Sequence, residues 1–366
     1  MMRWREGVVS ELGRGWPGAQ ELAVVIGDRA VRALAYPDLV GSPAVGDRVL
    51  LNVGALDRGL GTGGYALVVA IPDRLPPDPP ETGHLVKARY TPLQSMVLGA
   101  DEQDSPDHAV LRDADDLFGT PVVVADLHSA LPAVLAGVFE ARPGTRVVYV
   151  MTDGGALPLA FSRTVPALKD AGWLGGTVTV GQAFGGDREA VTVHTGLLTA
   201  VHVLAAEVVV ITQGPGNLGT GTRWGFSGVQ SGEAVNAIGT LGGRAVASLR
   251  ISEADPRPRH RGISHHSLTA YGRVALQPAD VVVPDLEGEF GDLVRDAAEP
   301  LKARHHVVRV SVDGLYDALA AAPVKLSTMG RNLDADRSYF EAAAAAGRFA
   351  AGLVDVPPPG SGSQYS

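Results

Sequence analysis

The most informative segment for chemistry is residues 208–228, VVVITQGPGNLGTGTRWGFSG, where a β-branched run leads into a glycine-rich loop. Glycine tolerates φ > 0 and close approach of the backbone to a ligand, so such a loop favours N–H groups that point at an anion. Hydroxyls and a guanidinium in the loop could add further contacts to a phosphate or carboxylate. The predicted ligand-binding residues are Gly214, Gly216, Asn217, Gly219, Thr220, Gly221, Thr222 and Arg223. A turn that only lets elements pack closely is the alternative.

Neither of two common phosphate motifs explains this loop. Its first glycines satisfy G-x-G-x-x-G after a strand, but TGTRWG intervenes where a dinucleotide fold would begin its helix. Gly216 and Gly221 have the spacing of a P-loop, but Thr222 and Arg223 follow where a Lys and a Ser or Thr belong. We therefore expect an anion site of another type.

Polar residues also follow other apolar runs. Asp126 and His128 come after PVVV, and Asp153 ends the run TRVVYVMTD. Ligands of open α/β sheets bind outside the carboxyl ends of the strands, so these side chains are candidate catalytic residues. His265, in RPRHRGISHHS at residues 257–267, is the fourth candidate. One histidine would move a proton while a carboxylate orients it or a metal.

The same histidine-rich segment suggests a metal site. The chain has no cysteine, so imidazole and carboxylate are its strong metal ligands, and His260, His265 and His266 could bind a divalent metal such as zinc, manganese or iron. The spacing matches no standard metal motif. Arginines alternate through the segment, which favours an anion contact or an acid–base role instead, and a plain surface loop is the third alternative.

The segment HLVKARYTPLQ offers a second group of cations. On a strand, Lys87 and Arg89 would share a face and could bind an anionic substrate. A solvated strand face would have the same sequence pattern.

Composition limits the function classes. The chain has 366 residues, 45% hydrophobic and 19% charged, with a net charge of −9. An acidic protein is a poor match for nucleic acid or anionic membranes, so we expect a small anionic molecule as partner and neither of those surfaces. The first residues lack an apolar run of signal-peptide length, which favours a cytoplasmic protein. The Ala-rich segment DADRSYFEAAAAAGRFAAGLV could dock on the sheet or seal a homo-oligomer.

The elements that must position these residues fall into distinct regions. Residues 1–72 contain short β-rich runs, which predict a small β-barrel or β-sandwich domain. Residues 73–120 form a proline-rich linker and an acidic connector. From 121 to 355, continuous Val and Ile runs alternate with Ala- and Leu-rich segments, which predicts an α/β ligand-binding domain with a mostly parallel, doubly wound sheet. Residues 356–366 should be a disordered tail.

Four segments resemble a known family. GLGTGGY, HLVKARYTPLQ, DLHSALP and GPGNLGTGTRWGFSGVQSGE are similar to an uncharacterised Gram-positive bacterial family, domain of unknown function 3866, and the resemblance covers nearly the whole chain except VPPPGSGSQYS. It implies no catalytic role for any residue. It does imply that Lys87, Asp126, His128 and the glycine loop belong to the family's characteristic motifs.

Two functional hypotheses remain from the sequence. The protein could be an enzyme, a hydrolase or transferase, acting on a small phosphorylated or carboxylated substrate, with a divalent metal where the histidines bind one. Alternatively, it could be a sensor or assembly protein that binds a metabolite without catalysis.

Overall fold

The computed structural model describes residues 2–61, 63–80 and 82–355. The chain divides into two compact units: residues 1–97 with 160–166, and residues 98–159 with 167–366. The expected connector at 73–120 is thus divided between the units, and a short later segment belongs to the first. The expected disordered tail, 356–366, lies outside the described residues.

The first unit contains a closed five-stranded barrel with the strand order β1-β2-β3-β5-β4. Its strands are β1 (Trp4–Trp16), β2 (Ala19–Ile26), β3 (Arg29–Ala35), β4 (Arg48–Asn52) and β5 (Ala66–Ala70), followed by the hairpin strands β6 (Leu85–Lys87) and β7 (Ser95–Val97). Antiparallel pairing of β1 with β4 closes the barrel around apolar side chains such as Val24 and Leu51. Of the two expected architectures, barrel and sandwich, the structure has the barrel.

The second unit is organised by a sheet of eight parallel strands in the order β11-β10-β9-β12-β8-β13-β16-β17. The strands of this unit are β8 (Pro121–Val124), β9 (Val147–Thr152), β10 (Gly176–Val180), β11 (Arg188–Ala190), β12 (Val208–Gln213), β13 (Arg244–Ser248), β14 (Ile251–Ser252), β15 (Gly262–Ile263), β16 (Asp280–Asp285), β17 (His306–Ser311), β18 (Ser327–Thr328) and β19 (Arg331–Asn332). The pairs β14–β15 and β18–β19 form separate two-stranded sheets. The α/β class with a small N-terminal barrel is therefore confirmed.

Helices cover both faces of this sheet. The α-helices of the described residues, of which α1 belongs to the first unit, are in chain order α1 (Pro37–Val40), α2 (His108–Leu111), α3 (Leu131–Ala141), α4 (Thr164–Asp170), α5 (Val193–Leu198), α6 (Gln230–Thr240), α7 (His265–Thr269), α8 (Gly288–Ala298), α9 (Leu315–Ala320) and α10 (Arg337–Ala351). Val122 and Val124 pack in one core with α6, while the intervening Val123, which points to the other face, is equally buried. Among the described residues, no helix has both the length and the apolar character needed to cross a bilayer.

Helix α10 packs on α3 and against β8, β13, β16 and β17. Two glycines, Gly137 in α3 and Gly347 in α10, allow the two helices to approach closely. A Cβ atom on Gly137 would overlap the carbonyl oxygen of Ala344, and one on Gly347 would overlap the carbonyl oxygen of Val134. The Ala-rich C-terminal segment is therefore docked on the sheet, and its role in an oligomer stays a prediction.

We expect Gly347→Ala to destabilise the protein, although alanine normally favours a helix interior by about 1 kcal/mol over glycine. The new methyl group would push α10 away from α3, at a cost of about 1–3 kcal/mol. Urea unfolding measures the effect. Gly352→Ala is the control, because a Cβ atom there would meet its nearest neighbour, the Phe349 oxygen, at 3.4 Å. Equal unfolding midpoints for both variants would contradict the close-packing explanation.

Candidate functional site

Three neighbouring strands of the large sheet bring their carboxyl ends together. β8 lies between β12 and β13, so Asp126 after β8 is flanked by Gln213 at the end of β12 and Arg250 after β13. Gln213 Nε2 donates a hydrogen bond of 2.7 Å to the backbone carbonyl of Asp126. Parallel pairing thus builds a polar cluster from residues that lie far apart in the sequence.

Arg250 is the centre of this cluster. Its side chain is only 4% exposed, and Nη1 lies 3.8 Å from Asp126 Oδ2 and 3.3 Å from His266 Nδ1. The other arm, Nη2, lies 4.0 Å from Asp255 Oδ2. The buried cation is therefore placed between two carboxylates, which offset the cost of removing it from water.

Asp255 connects Arg250 to further cations. Its fully buried carboxylate accepts two hydrogen bonds from the Arg257 guanidinium, of 2.9 and 2.8 Å, and one of 3.0 Å from the Arg257 backbone N–H, and it lies 3.3 Å from Arg331 Nη2. The Arg257 hydrogen bond, with help from Arg331, holds the pKa of Asp255 well below its usual range. The carboxylate is consequently ionised at all ordinary pH values, so it serves as a permanent counter-charge.

The three histidines predicted as metal ligands lie together. One ring nitrogen of each of His260, His265 and His266 lies within 4.8 Å of the others. Ser264 organises them: its hydroxyl lies 2.8 Å from His260 Nδ1 and accepts a hydrogen bond from the backbone N–H of His266 as the N-cap of α7. The ring of Phe226 stacks on His266 with a centroid distance of 3.8 Å.

Two of these imidazoles are neutral at pH 7. Burial, with Arg250 and Arg257 nearby, lowers the pKa of His260 to about 3. Burial, with His266 and Arg259 nearby, lowers the pKa of His265 to about 4. A neutral imidazole keeps a lone pair that can accept a proton or bind a metal.

His265 also lines an open groove of about 660 Å³ in the second unit. Arg223 of the glycine loop, Arg259 of the histidine segment and Arg273 after α7 line the same groove, together with Gly221. No carboxylate is among the described residues that line it. The glycine loop and the histidine segment, which the sequence treats as separate candidates, thus meet around one cationic groove.

Arg273 is the groove arginine that lies outside both predicted segments. It lies in a helical turn, Ala270–Val274, that continues α7. No motif surrounds it, and only the path of the chain after α7 brings it to the groove.

The inner half of the glycine loop has a packing role. A Cβ atom on Gly155 would overlap the carbonyl oxygen of Gly214, and one on Gly214 would overlap that of Ala156. The N–H of Ala156 donates to the carbonyl of Pro215 at 2.9 Å. These glycines let the loops after β9 and β12 run side by side, so the close-packing alternative applies to this half.

The polar side chains of the glycine loop form hydrogen bonds within the loop and with the end of β12. Asn217 Oδ1 accepts from Gln213 Nε2 and from Ser227 Oγ, both at 3.0 Å. Thr220 Oγ1 lies 3.0 Å from Thr222 Oγ1, and the N–H of Thr220 donates to the Gly225 carbonyl at 2.7 Å. Gly216 has φ +91° and Gly219 pairs with Phe226, so both shape the loop.

Asp153 belongs to a neighbouring hydrogen-bond network. Its carboxylate accepts from the N–H of Gln182 at 2.9 Å and from Gln230 Nε2 at 3.3 Å. A cavity of about 10 Å³, lined in part by Asp126, Thr152, Gln213 and Gln230, lies beside this network. These hydrogen bonds connect Asp153 to the loop after β10 and to the first residue of α6. Its catalytic role stays a prediction.

His128 is placed in a hydrogen-bonded chain beneath the strand ends. Its Nδ1 lies 3.0 Å from the Tyr149 hydroxyl, which lies 3.0 Å from Thr212 Oγ1. Burial lowers the pKa of His128 to about 4. This arrangement supports a structural role for His128, and a catalytic role stays a prediction.

The expectation that Lys87 and Arg89 share a strand face is wrong. β6 ends at Lys87, and the chain then turns through Ala88 and Tyr90, which have φ of +48° and +59°. The turn leaves Lys87 fully buried and Arg89 exposed. The alternative of a solvated strand face fails for the same reason.

The chain is an α/β protein with a closed barrel unit and a parallel-sheet unit, and polar side chains cluster at the carboxyl ends of the strands of the sheet. The profile of the family described as "Protein of unknown function (DUF3866)" matches residues 32–347, and the chain belongs to this family. A comparison with curated proteins found no match.

We expect acid to destabilise the protein through His128. Its pKa is about 4 when folded, against about 6.5 when unfolded, so the unfolded chain binds more protons between these values. Its contribution to the free energy of unfolding is complete above pH 6.5 and is lost as the pH falls, by about 2 kcal/mol from pH 7 to pH 5.

Urea unfolding at the two pH values, in chelator, tests this expectation. His128→Gln should have the smaller pH dependence, while His194→Gln, which changes an exposed histidine, should behave like the wild type. Since other buried histidines act in the same direction, the informative quantity is the difference between variants. A His128→Gln profile parallel to that of the wild type would show that His128 does not titrate abnormally.

Proposed function

We propose that the protein binds a small phosphorylated or carboxylated molecule in the arginine groove and acts on it as an enzyme, a hydrolase or transferase. The observation that carries the proposal is the convergence of Arg223, Arg259 and Arg273 on one groove without a lining carboxylate among the described residues. Uncompensated guanidinium groups create a positive potential that attracts anions.

The groove has the size and chemistry for such a ligand. Its volume of about 660 Å³ lies within the range of small-molecule sites. Guanidinium groups bind phosphate and carboxylate through paired hydrogen bonds. Backbone N–H groups near Gly221, at the exposed tip of the glycine loop, supply further donors.

His265 is the residue that favours catalysis over binding alone. It lies in the groove as well as in the histidine cluster, and in the metal-free protein its neutral ring keeps a lone pair that can orient a substrate hydroxyl or a water molecule. Behind it, Asp126 lies 3.5 Å from His266, so a carboxylate supports the cluster. A metabolite sensor or assembly protein would need the arginines to bind the anion, but it would not need a histidine in the groove with a carboxylate behind it.

Removing single arginines tests anion binding. We expect Arg223→Ala and Arg273→Ala each to weaken binding of phosphate-containing ligands about 10- to 100-fold, because a hydrogen bond to a charged group contributes about 1.5–3 kcal/mol. Isothermal titration calorimetry with inorganic phosphate, pyrophosphate, sugar phosphates, nucleotides and di- and tricarboxylates measures this. Binding should weaken with added salt.

Arg112→Ala is the matched control, since this side chain is 64% exposed, pairs with its neighbour Asp113 and lies outside the groove. If none of these anions binds the wild type, or if all three variants bind them equally, the groove is not the site. Binding without turnover of any tested ester, anhydride or amide of the bound anion would favour the sensor.

A further inference from the structure

We propose that His260, His265 and His266 bind one divalent transition-metal ion of the zinc class. Three imidazoles are a donor set that zinc and its neighbours in the first transition row prefer, and hard cations such as magnesium do not. This proposal goes beyond anion binding and does not depend on it.

Hydrogen bonds leave one nitrogen of each ring for the ion. When His260 Nδ1 donates to the Ser264 hydroxyl, 2.8 Å away, Nε2 keeps the lone pair that can bind the ion. His266 Nδ1 faces Asp126 and Arg250, and Nε2 has a lone pair for the ion in the tautomer in which Nδ1 donates to Asp126. His265 Nε2 is buried and has no hydrogen-bond partner among the described residues. A metal ion would give this atom the partner that it lacks.

Asp126 supplies the second, independent observation. Its side chain is 7% exposed, and Oδ2 has no hydrogen-bond partner within the described part of the chain, although His266 Nδ1 is 3.5 Å away. Metal-bound histidines usually donate their other N–H to a carboxylate, which fixes the tautomer and strengthens the ligand. A small movement of His266 would make this bond and satisfy Asp126.

Arg250 and Asp126 compete for the same His266 nitrogen. When Nδ1 accepts from Arg250 Nη1, at 3.3 Å, Nε2 carries the proton and cannot bind a metal. When Nδ1 donates to Asp126, Nε2 has a free lone pair. The ion would therefore select the tautomer in which Asp126 is bonded, so Asp126 is a positioning residue for the site.

Buried carboxylates offset the arginines that lie behind the histidine cluster. Three guanidinium groups around the cluster are matched by three buried carboxylates: Arg250, Arg257 and Arg331 with Asp126, Asp255 and Asp336. The three carboxylates offset these charges, whereas Arg223, Arg259 and Arg273 on the groove side of His265 face no lining carboxylate among the described residues, so the metal–imidazole bonds must outweigh their repulsion.

The required rearrangement is small. Zinc–nitrogen bonds of about 2.0–2.1 Å in tetrahedral geometry place ligand nitrogens about 3.4 Å apart. One nitrogen of each histidine ring lies within 4.8 Å of a nitrogen of the other two rings, so side-chain rotations and shifts on the order of 1 Å bring the rings within reach of one ion. Three protein ligands leave a coordination position for water or substrate, and His265 belongs to the arginine groove as well. The ion and a bound anion would thus be neighbours.

Metal titration of the full chain tests the proposal. Untagged protein is freed of metal with a chelator and titrated with Zn²⁺ by calorimetry and with Co²⁺ by visible absorption. We expect one ion per chain and a Co²⁺ spectrum of low-coordinate, nitrogen-ligated type. His265→Ala should abolish this binding, while His194→Ala, at an exposed position, should retain it.

Folding controls keep the test decisive. His265→Ala should retain the far-ultraviolet circular dichroism of metal-free wild type, because Nε2 makes no hydrogen bond to the described residues and the ring is only half-buried. If it unfolds, His260→Gln takes its place. Asp126→Asn should bind Zn²⁺ about 10- to 100-fold more weakly.

Two outcomes would overturn the metal site: no stoichiometric binding of either ion by the wild type, or unchanged binding by folded histidine variants. Anion binding by metal-free protein would leave the proposed function standing in either case. Conversely, stoichiometric Zn²⁺ binding without any anion binding would retain the metal site alone, so the two proposals fail separately.

Discussion

The buried guanidinium of Arg250 is the constraint on which the arrangement of the site depends. A cation that is 4% exposed must have counter-charges close by, and Asp126 and Asp255 supply them from two different loops. Removing one partner of such a buried ion pair typically costs about 3–5 kcal/mol. Backbone contacts reinforce the arrangement, because the Arg250 N–H donates to Ser267 Oγ and its carbonyl accepts from the N–H of Ser264. The segment that carries His265 and His266 is thus anchored to the backbone of Arg250 at Ser264 and Ser267.

The same requirement extends to the C-terminal helix. Arg331 lies against Asp255 and also donates to Asp336, the residue that precedes α10. Asp336 accepts from the Ser252 hydroxyl at 2.8 Å. Because α10 packs closely on α3, the position of Asp336 at the start of α10 is fixed by the packing of the two helices. The packing of α10 on α3 and the ion pairs of Arg331 thus position the same segment. A substitution that shifts α10 should therefore also change the geometry of these ion pairs.

Most of the large sheet was predictable because strands buried on both faces must be apolar at every position, which the Val and Ile runs satisfy. β11 was missed because this edge strand is only three residues long and its sequence continues into α5. Barrel and sandwich could not be separated, since closure depends on the long-range pairing of β1 with β4. Lys87 and Arg89 were misplaced because the left-handed conformation of Ala88 has no local sequence signature.

The candidate site was predictable only where its residues are adjacent in sequence. His260, His265 and His266 could be grouped from one segment, whereas their contact with Asp126 required the strand order, and Arg273 required the path after α7. The glycine loop shows why residue type alone misleads. Gly214 is explained by the adjacent backbone of Ala156, so the number of glycines is weak support for a ligand. The charge at the tip of the loop supports a ligand more strongly than the number of glycines does. Arg223 lines a groove that two other guanidinium groups also line. These like charges repel one another, and a bound anion would offset the repulsion.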